Sequence, residues 1–91
     1  MHTGKAKARL RGRVRRLKGQ AEALERAVEA ELSCAQILML AASMRGAING
    51  LTAEIMEDHI RHHIVDPDKE PDAGHAKGTA ELIEVMRAYM K

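Results

Sequence analysis

Tryptophan and phenylalanine are absent from this 91-residue chain, and Tyr89 is its single aromatic side chain. Single-stranded nucleic acid is held largely by stacking on aromatic rings, so that mode of binding is argued against. A core without large rings must come from Leu, Ile, Val, Met and Ala, and in so short a chain such a core is thin. Helical chains of this size gain burial by associating, so an oligomer is expected. Cysteine occurs once, at Cys34, which rules out an intrachain disulfide and suits a reducing compartment. No apolar run is long enough to span a bilayer, and the basic beginning lacks the apolar stretch and cleavage site of a secretory signal. The expectation is a soluble, cytoplasmic protein without a membrane partner. Acids are missing from the start as well: residues 1–21 hold eight Lys or Arg and no Asp or Glu, whereas the rest hold seven against thirteen. That asymmetry points to a polyanion partner for the N-terminal part.

What is present reads as helix. Leu10, Val14, Leu17, Ala21, Leu24 and Val28 recur at spacings of 4, 3, 4, 3 and 4, which predicts a first helix over residues 5–29. Ser33 suits the N-cap of a second, whose seam is Ile37, Ala41, Met44, Ile48, Leu51 and Ile55 and which runs to about Val65. A helix of about 30 residues needs packing along much of its length. Residues 66–78, DPDKEPDAGHAKG, hold both prolines, two glycines and four acids, and predict a loop that includes His75. A third helix is expected over 79–90, with Leu82, Met86 and Tyr89 on one face and Ile83 and Met90 beside it. No stretch alternates as a strand does. The fold class is all-α, one domain over residues 1–91 with two long helices and one short one.

The chemistry concentrates at the end of the second helix. EIMEDHIRHHIV, residues 54–65, puts His59 and His63 on one helical face with His62 beside them. Imidazole and thiolate are the usual ligands of transition metals. Cys34, however, is 25 residues from His59, roughly 37 Å along one helix, so the two cannot meet within one chain. Two copies of the second helix crossing antiparallel would join them, with the two-fold axis near residues 47 and 48. Ser43, Gly46, Ala47 and Gly50 there are small enough for close approach. A hairpin turning near residues 30–33 brings His2 to the same corner, so His2, His59, His63 and a second copy's Cys34 converge. Each residue alone also fits a plainer role. The histidine pair suits a solvated helix face, Cys34 a small buried apolar group, and His2 a loose end.

These residues resemble the CsoR/RcnR family of metal-responsive transcriptional repressors. The resemblance rests on RVRRLKGQAEALERAV (13–28), CAQILMLAASMRGAINGL (34–51), EDHIRHHIV (57–65) and ELIEVMRAYMK (81–91). It implies a three-helix protomer that forms an antiparallel four-helix-bundle dimer, and dimers that pair into a homotetramer. It also implies a four-position metal fingerprint, filled here by His2, Cys34, His59 and His63, with His62 as an auxiliary ligand and Glu81 as an outer carboxylate. That set is similar to the nickel/cobalt branch, so Ni(II) or Co(II) is expected, with Zn(II) or Cu(I) as alternatives. Copper(I) sensors carry cysteine where this chain has His63. Formaldehyde sensors carry an N-terminal proline and a glutamate where it has His2 and His63.

The expected DNA surface is the basic face of the first helix. Arg9, Arg13 and Arg16 fall at i, i+4 and i+7, Arg11, Arg15 and Lys18 repeat the pattern beside them, and Arg45 adds a base from the second helix. Such a stripe neutralises phosphates of duplex DNA with steep salt dependence. The expected function is repression by the apo protein and release from operator DNA on metal binding, which turns on efflux or resistance genes. A formaldehyde-responsive repressor of the same fold is the alternative, and a cytosolic metal-buffering helical bundle is the alternative outside regulation. No nucleophile, base and orienting group stand in a pattern that suggests an enzyme.

Overall fold

A computed structural model describes residues 3–91 as three helices: α1 (Gly4–Glu29), α2 (Cys34–His63) and α3 (Ala73–Tyr89). His2 lies outside the described residues. α1 begins where Thr3 accepts a hydrogen bond from the Ala6 N–H at 2.9 Å. It ends in a tight reversal, with the Leu32 N–H bonded to the Ala27 carbonyl and the Glu31 N–H to that of Val28. Such a Schellman turn needs a residue in the left-handed region, and Glu31, at φ 55°, supplies it. Ser33 then opens α2 as expected. Its hydroxyl accepts from the Gln36 N–H, and the Gln36 side chain accepts from the Ser33 N–H, a reciprocal capping box.

The hairpin lays α1 along α2, and α3 rests on the far part of α2. Burial is sparse: only Ala6, Leu10, Ala27, Ala53, Ile60 and Ile83 are shielded almost completely among the described residues. The molecule measures 57 × 26 × 13 Å, and its smallest extent is little more than one helix diameter of about 10–12 Å. Its radius of gyration is 17.1 Å, against about 12 Å for a compact chain of this length. Three helices side by side make a slab, not a bundle with a closed core.

The expected seams are therefore half used. On α1, Leu10 is buried, but Val14 and Val28 remain more than half exposed. On α2 the expected seam is unevenly covered. Ile37, Met44 and Leu51 are half-buried, whereas Ala41, Ile48 and Ile55 stay exposed. Two of the four small residues expected at a crossing between copies serve the hairpin instead, whereas a Cβ at Gly46 would meet nothing within 4 Å. Ser43 accepts a hydrogen bond from Gln20 of α1 at 3.2 Å, and Gly50 lies beneath Arg13.

The segment after α2 also differs from expectation. α3 starts at Ala73, six residues earlier than 79, because the Asp72 carboxylate accepts from the N–H groups of Gly74 and His75. That cap follows Pro71 directly and outweighs the two glycines. His75 thus belongs to the first turn of α3 and not to a loop. The buried side of α3 carries Ile83, with Met86 and Met90 half-buried, whereas Leu82 and Tyr89 face outward.

Candidate metal centre and nucleic-acid face

The outward face of α2 has a pattern of its own. Cys34, Leu38, Ala41, Arg45, Ile48, Thr52, Ile55 and His59 recur at spacings of 4, 3, 4, 3, 4, 3 and 4, and His63 follows one turn later. At 100° per residue these positions stay within about 100° of rotation, opposite the side that meets α1. The stripe is exposed over most of its length, Leu38 by 68%, and it keeps sulfur at one end and imidazole at the other. Its spacing reads the same in both directions about a midpoint between Gly46 and Ala47.

His59 and His63 are brought together, with ring centroids 4.9 Å apart and planes tilted by 30°. Two exposed imidazoles one turn apart on a rigid helix suit a pair of ligands to one ion. His62 stands beside them, its Nδ1 2.9 Å from the Asp58 carbonyl and 3.3 Å from the Asp58 carboxylate, a bond that orients the ring and occupies only one of its two nitrogens. It borders a recess shared with Thr3, Arg9, Asp58 and Arg61. The start of α1 therefore reaches the end of α2. Cys34 is exposed at the opposite end of α2. Among the described residues, no three His, Cys, Asp or Glu side chains of one chain converge as a metal site. Glu81 is exposed on α3.

The basic residues divide into two faces. Arg9, Arg13 and Arg16 border one groove together with Gly12 and Glu54. Arg11, Arg15 and Lys18 lie roughly 160° of helical rotation away, fully exposed and not beside the first stripe. Arg45 belongs to neither face. It stands on the outer stripe of α2, against Leu38, Ala41 and Ala42.

Two carboxylates that the sequence did not single out organise this end of the protein. Glu54 of α2 accepts from the Arg9 Nε at 3.0 Å and from the Arg13 Nε. Burial pushes its carboxyl up, but the hydrogen bonds and charges of the two arginines outweigh this and hold it below the ordinary 4.5. Glu57 likewise accepts from Arg61 at 2.9 Å and from Arg87 of α3 at 2.6 Å, which pins α3 to α2. Arg61 continues to Asp66 and Asp68, both at 3.1 Å, and ties the connecting loop back to the last turns of α2. A signal for Glu54 was present: α2 has no acid before it, so a lone carboxylate faces a basic helix.

A family model described as metal-sensitive transcriptional repressor matches residues 6–88. The transcriptional repressor RcnR of Salmonella paratyphi B is 32% identical over 90 residues, covering 99% of this chain and 98% of that protein. An uncharacterized protein from the bioA 5' region of Serratia marcescens is 44% identical over the same length, with the same coverage. Among solved structures, a glutamate-to-histidine variant of the formaldehyde-responsive regulator FrmR from Salmonella enterica serovar Typhimurium is 44% identical. It covers 98% of this chain and 99% of its own, with a TM-score of 0.70.

Proposed function

The chain belongs to the metal-sensitive transcriptional repressors, and from that premise we propose that it represses metal-handling genes and is released from DNA by Ni(II) or Co(II). The observation that carries this reading is the outer stripe of α2. A second copy laid antiparallel on it about the midpoint between Gly46 and Ala47 sets Leu38 against Ile55 and Ala41 against Thr52. The same register sets Cys34 against His59, with His63 one turn beyond. Pairing buries the exposed stripe and completes two equivalent donor sets, each with His59 and His63 from one copy and Cys34 from the other. His2, which precedes Thr3 in sequence, is the fourth donor in this reading. Imidazole and thiolate together suit a borderline ion, which such a group of side chains would bind as neutral imidazole and deprotonated sulfur.

In this reading the whole chain is one functional domain, and it works in the cytoplasm, where a lone thiol stays reduced. Arg9, Arg13 and Arg16 hold duplex DNA by its phosphates along one groove, whereas Arg15 and Lys18, on the other face of α1, and Arg45, which the pairing covers, stand away from that groove. Switching follows from linkage. Tying His2 and the end of α2 to a second copy's Cys34 constrains the start of α1, where the basic stripe begins. If the constrained arrangement fits DNA less well, ion binding lowers DNA affinity by the factor by which DNA lowers ion affinity, a coupling of typically ~1–3 kcal/mol.

The likeness to a formaldehyde-responsive regulator favours a second reading, in which an electrophile modifies Cys34. One assay separates the two: binding of apo protein to a duplex of its promoter region, titrated with Ni(II), Co(II), Zn(II), Cu(I) or formaldehyde. The metal reading expects release by Ni(II) or Co(II), and expects His59→Ala or His63→Ala to weaken the response by more than about tenfold, as loss of a direct ligand should exceed loss of an outer partner. Release by formaldehyde that survives both histidine substitutions but not Cys34→Ala would replace it. Failure of the apo protein to retain DNA at low salt would leave a metal-buffering bundle.

A further inference from the structure

Glu54 stands within the basic stripe, where a carboxylate should repel DNA. Its geometry suggests otherwise. Only 14% of the Glu54 side chain is exposed, against 58% of Arg9 and 45% of Arg13, so the acid lies beneath the two guanidiniums and not in front of them. Each arginine donates its Nε to Glu54, and a guanidinium has five N–H donors, so most of them remain for a second acceptor. Gly50, one turn before Glu54, completes the seat. A Cβ at that position would stand 3.0 Å from the Arg13 Nη1, so a side chain there would press on the guanidinium tip and shift it from its present pose. Arg16, one turn beyond Arg13, borders the same groove.

We propose that Glu54 and Gly50 are positioning residues for phosphate binding: together they hold Arg9 and Arg13 in a fixed pose beside Arg16, as a preset phosphate cradle. The proposal rests on the DNA-binding reading of this face. Arginine side chains lose much rotamer freedom when they bind a phosphate, and a pose already fixed in the free protein lowers that cost on binding. A bidentate-ready guanidinium is also the geometry phosphates favour. Simple Coulomb attraction predicts the opposite sign for Glu54, because removing a negative charge near DNA should tighten binding.

The experiment is fluorescence anisotropy of a short labelled random-sequence duplex with the intact apo protein over a range of salt concentrations, for Glu54→Gln, Gly50→Ala and the double variant Arg13→Ala/Arg16→Ala. Gly50→Ala changes no charge and raises helix propensity, so it separates loss of pose from loss of fold, and thermal melts monitor both single variants. The proposal expects Glu54→Gln and Gly50→Ala each to weaken binding several-fold, with the slope of log affinity against log salt reduced by roughly 1–2. Tighter binding by Glu54→Gln, or unchanged binding by Gly50→Ala, overturns it and makes Glu54 a mere competitor for the arginines. If Arg13→Ala/Arg16→Ala binds like the wild type, the DNA face itself has been misplaced and the proposal fails with it, a result distinct from the other two.

Discussion

At the scale of residues, the chemistry separates into pairs that spacing reveals and pairs that only folding reveals. His59 and His63 were legible because a four-residue step on a helix always puts two side chains on one face. His62 was harder, since the rotation that removes it from that face does not say that Asp58 will hold it. Glu54 was missed because its partners come from another helix, 41 and 45 residues away in sequence, and no local rule links them. Its ionisation has a consequence for stability. Arg9 and Arg13 hold the Glu54 carboxyl below the ordinary 4.5 in the folded protein, so the unfolded chain binds a proton more readily than the folded one. The contribution is then fully present above the unfolded value and is lost as pH falls through the lowered folded value. Melting temperature followed from neutral pH downward should begin to drop below about pH 4.5, and Glu54→Gln should make that drop shallower. An equally steep acid transition in the variant would remove Glu54 from the account.

Helices are where the sequence was most informative. The bounds of α1 and the start of α2 followed from apolar spacing and from Ser33, because caps and periodicity are local. The start of α3 did not, since glycine and proline in residues 66–78 read as loop, while the Asp72 cap needs only its own side chain and the N–H groups of Gly74 and His75. The uneven cover of α2 was also hidden, because residues such as Ala41 and Ile48 fit a helical period whichever side is buried. Two substitutions test the hairpin end. Ser33→Ala removes the hydroxyl arm of the capping box, the bond from the Gln36 N–H, and should cost ~1 kcal/mol in chemical denaturation. Glu31→Gly relieves a left-handed residue and should stabilise by up to about 1 kcal/mol. Destabilisation by Glu31→Gly would mean that the Glu31 side chain contributes something its backbone does not show.

The whole molecule is a slab one helix thick, and that thinness makes association a physical requirement more than an option. Few side chains are fully shielded, and each shielded aliphatic contributes about 1.5–3 kcal/mol at most, too little against the entropy of ordering so long a chain. Leu38, Ile48 and Ile55 on one face of α2, and Leu82 and Val85 on α3, remain open. All-α class was readable from composition and period; the slab was not, because no single-chain rule says which apolar face is kept for another chain. Sedimentation of the wild-type protein should show an oligomer, and placing glutamate at both Leu38 and Ile55 should convert it into a poorly folded monomer. An unchanged sedimentation coefficient would exclude the outer stripe of α2 as the contact.

The mirror spacing of that stripe reaches into genetics. In the proposed pairing each donor cluster borrows its sulfur from across the two-fold, so a Cys34→Ala subunit would keep sound imidazoles and a His59→Ala/His63→Ala subunit a sound thiol. Either allele alone would be blind to inducer, yet a cell expressing both would build mixed pairs with one whole cluster, and partial inducibility would return. Two broken alleles would thus repair each other, whereas two lesions confined to one subunit's own cluster never could.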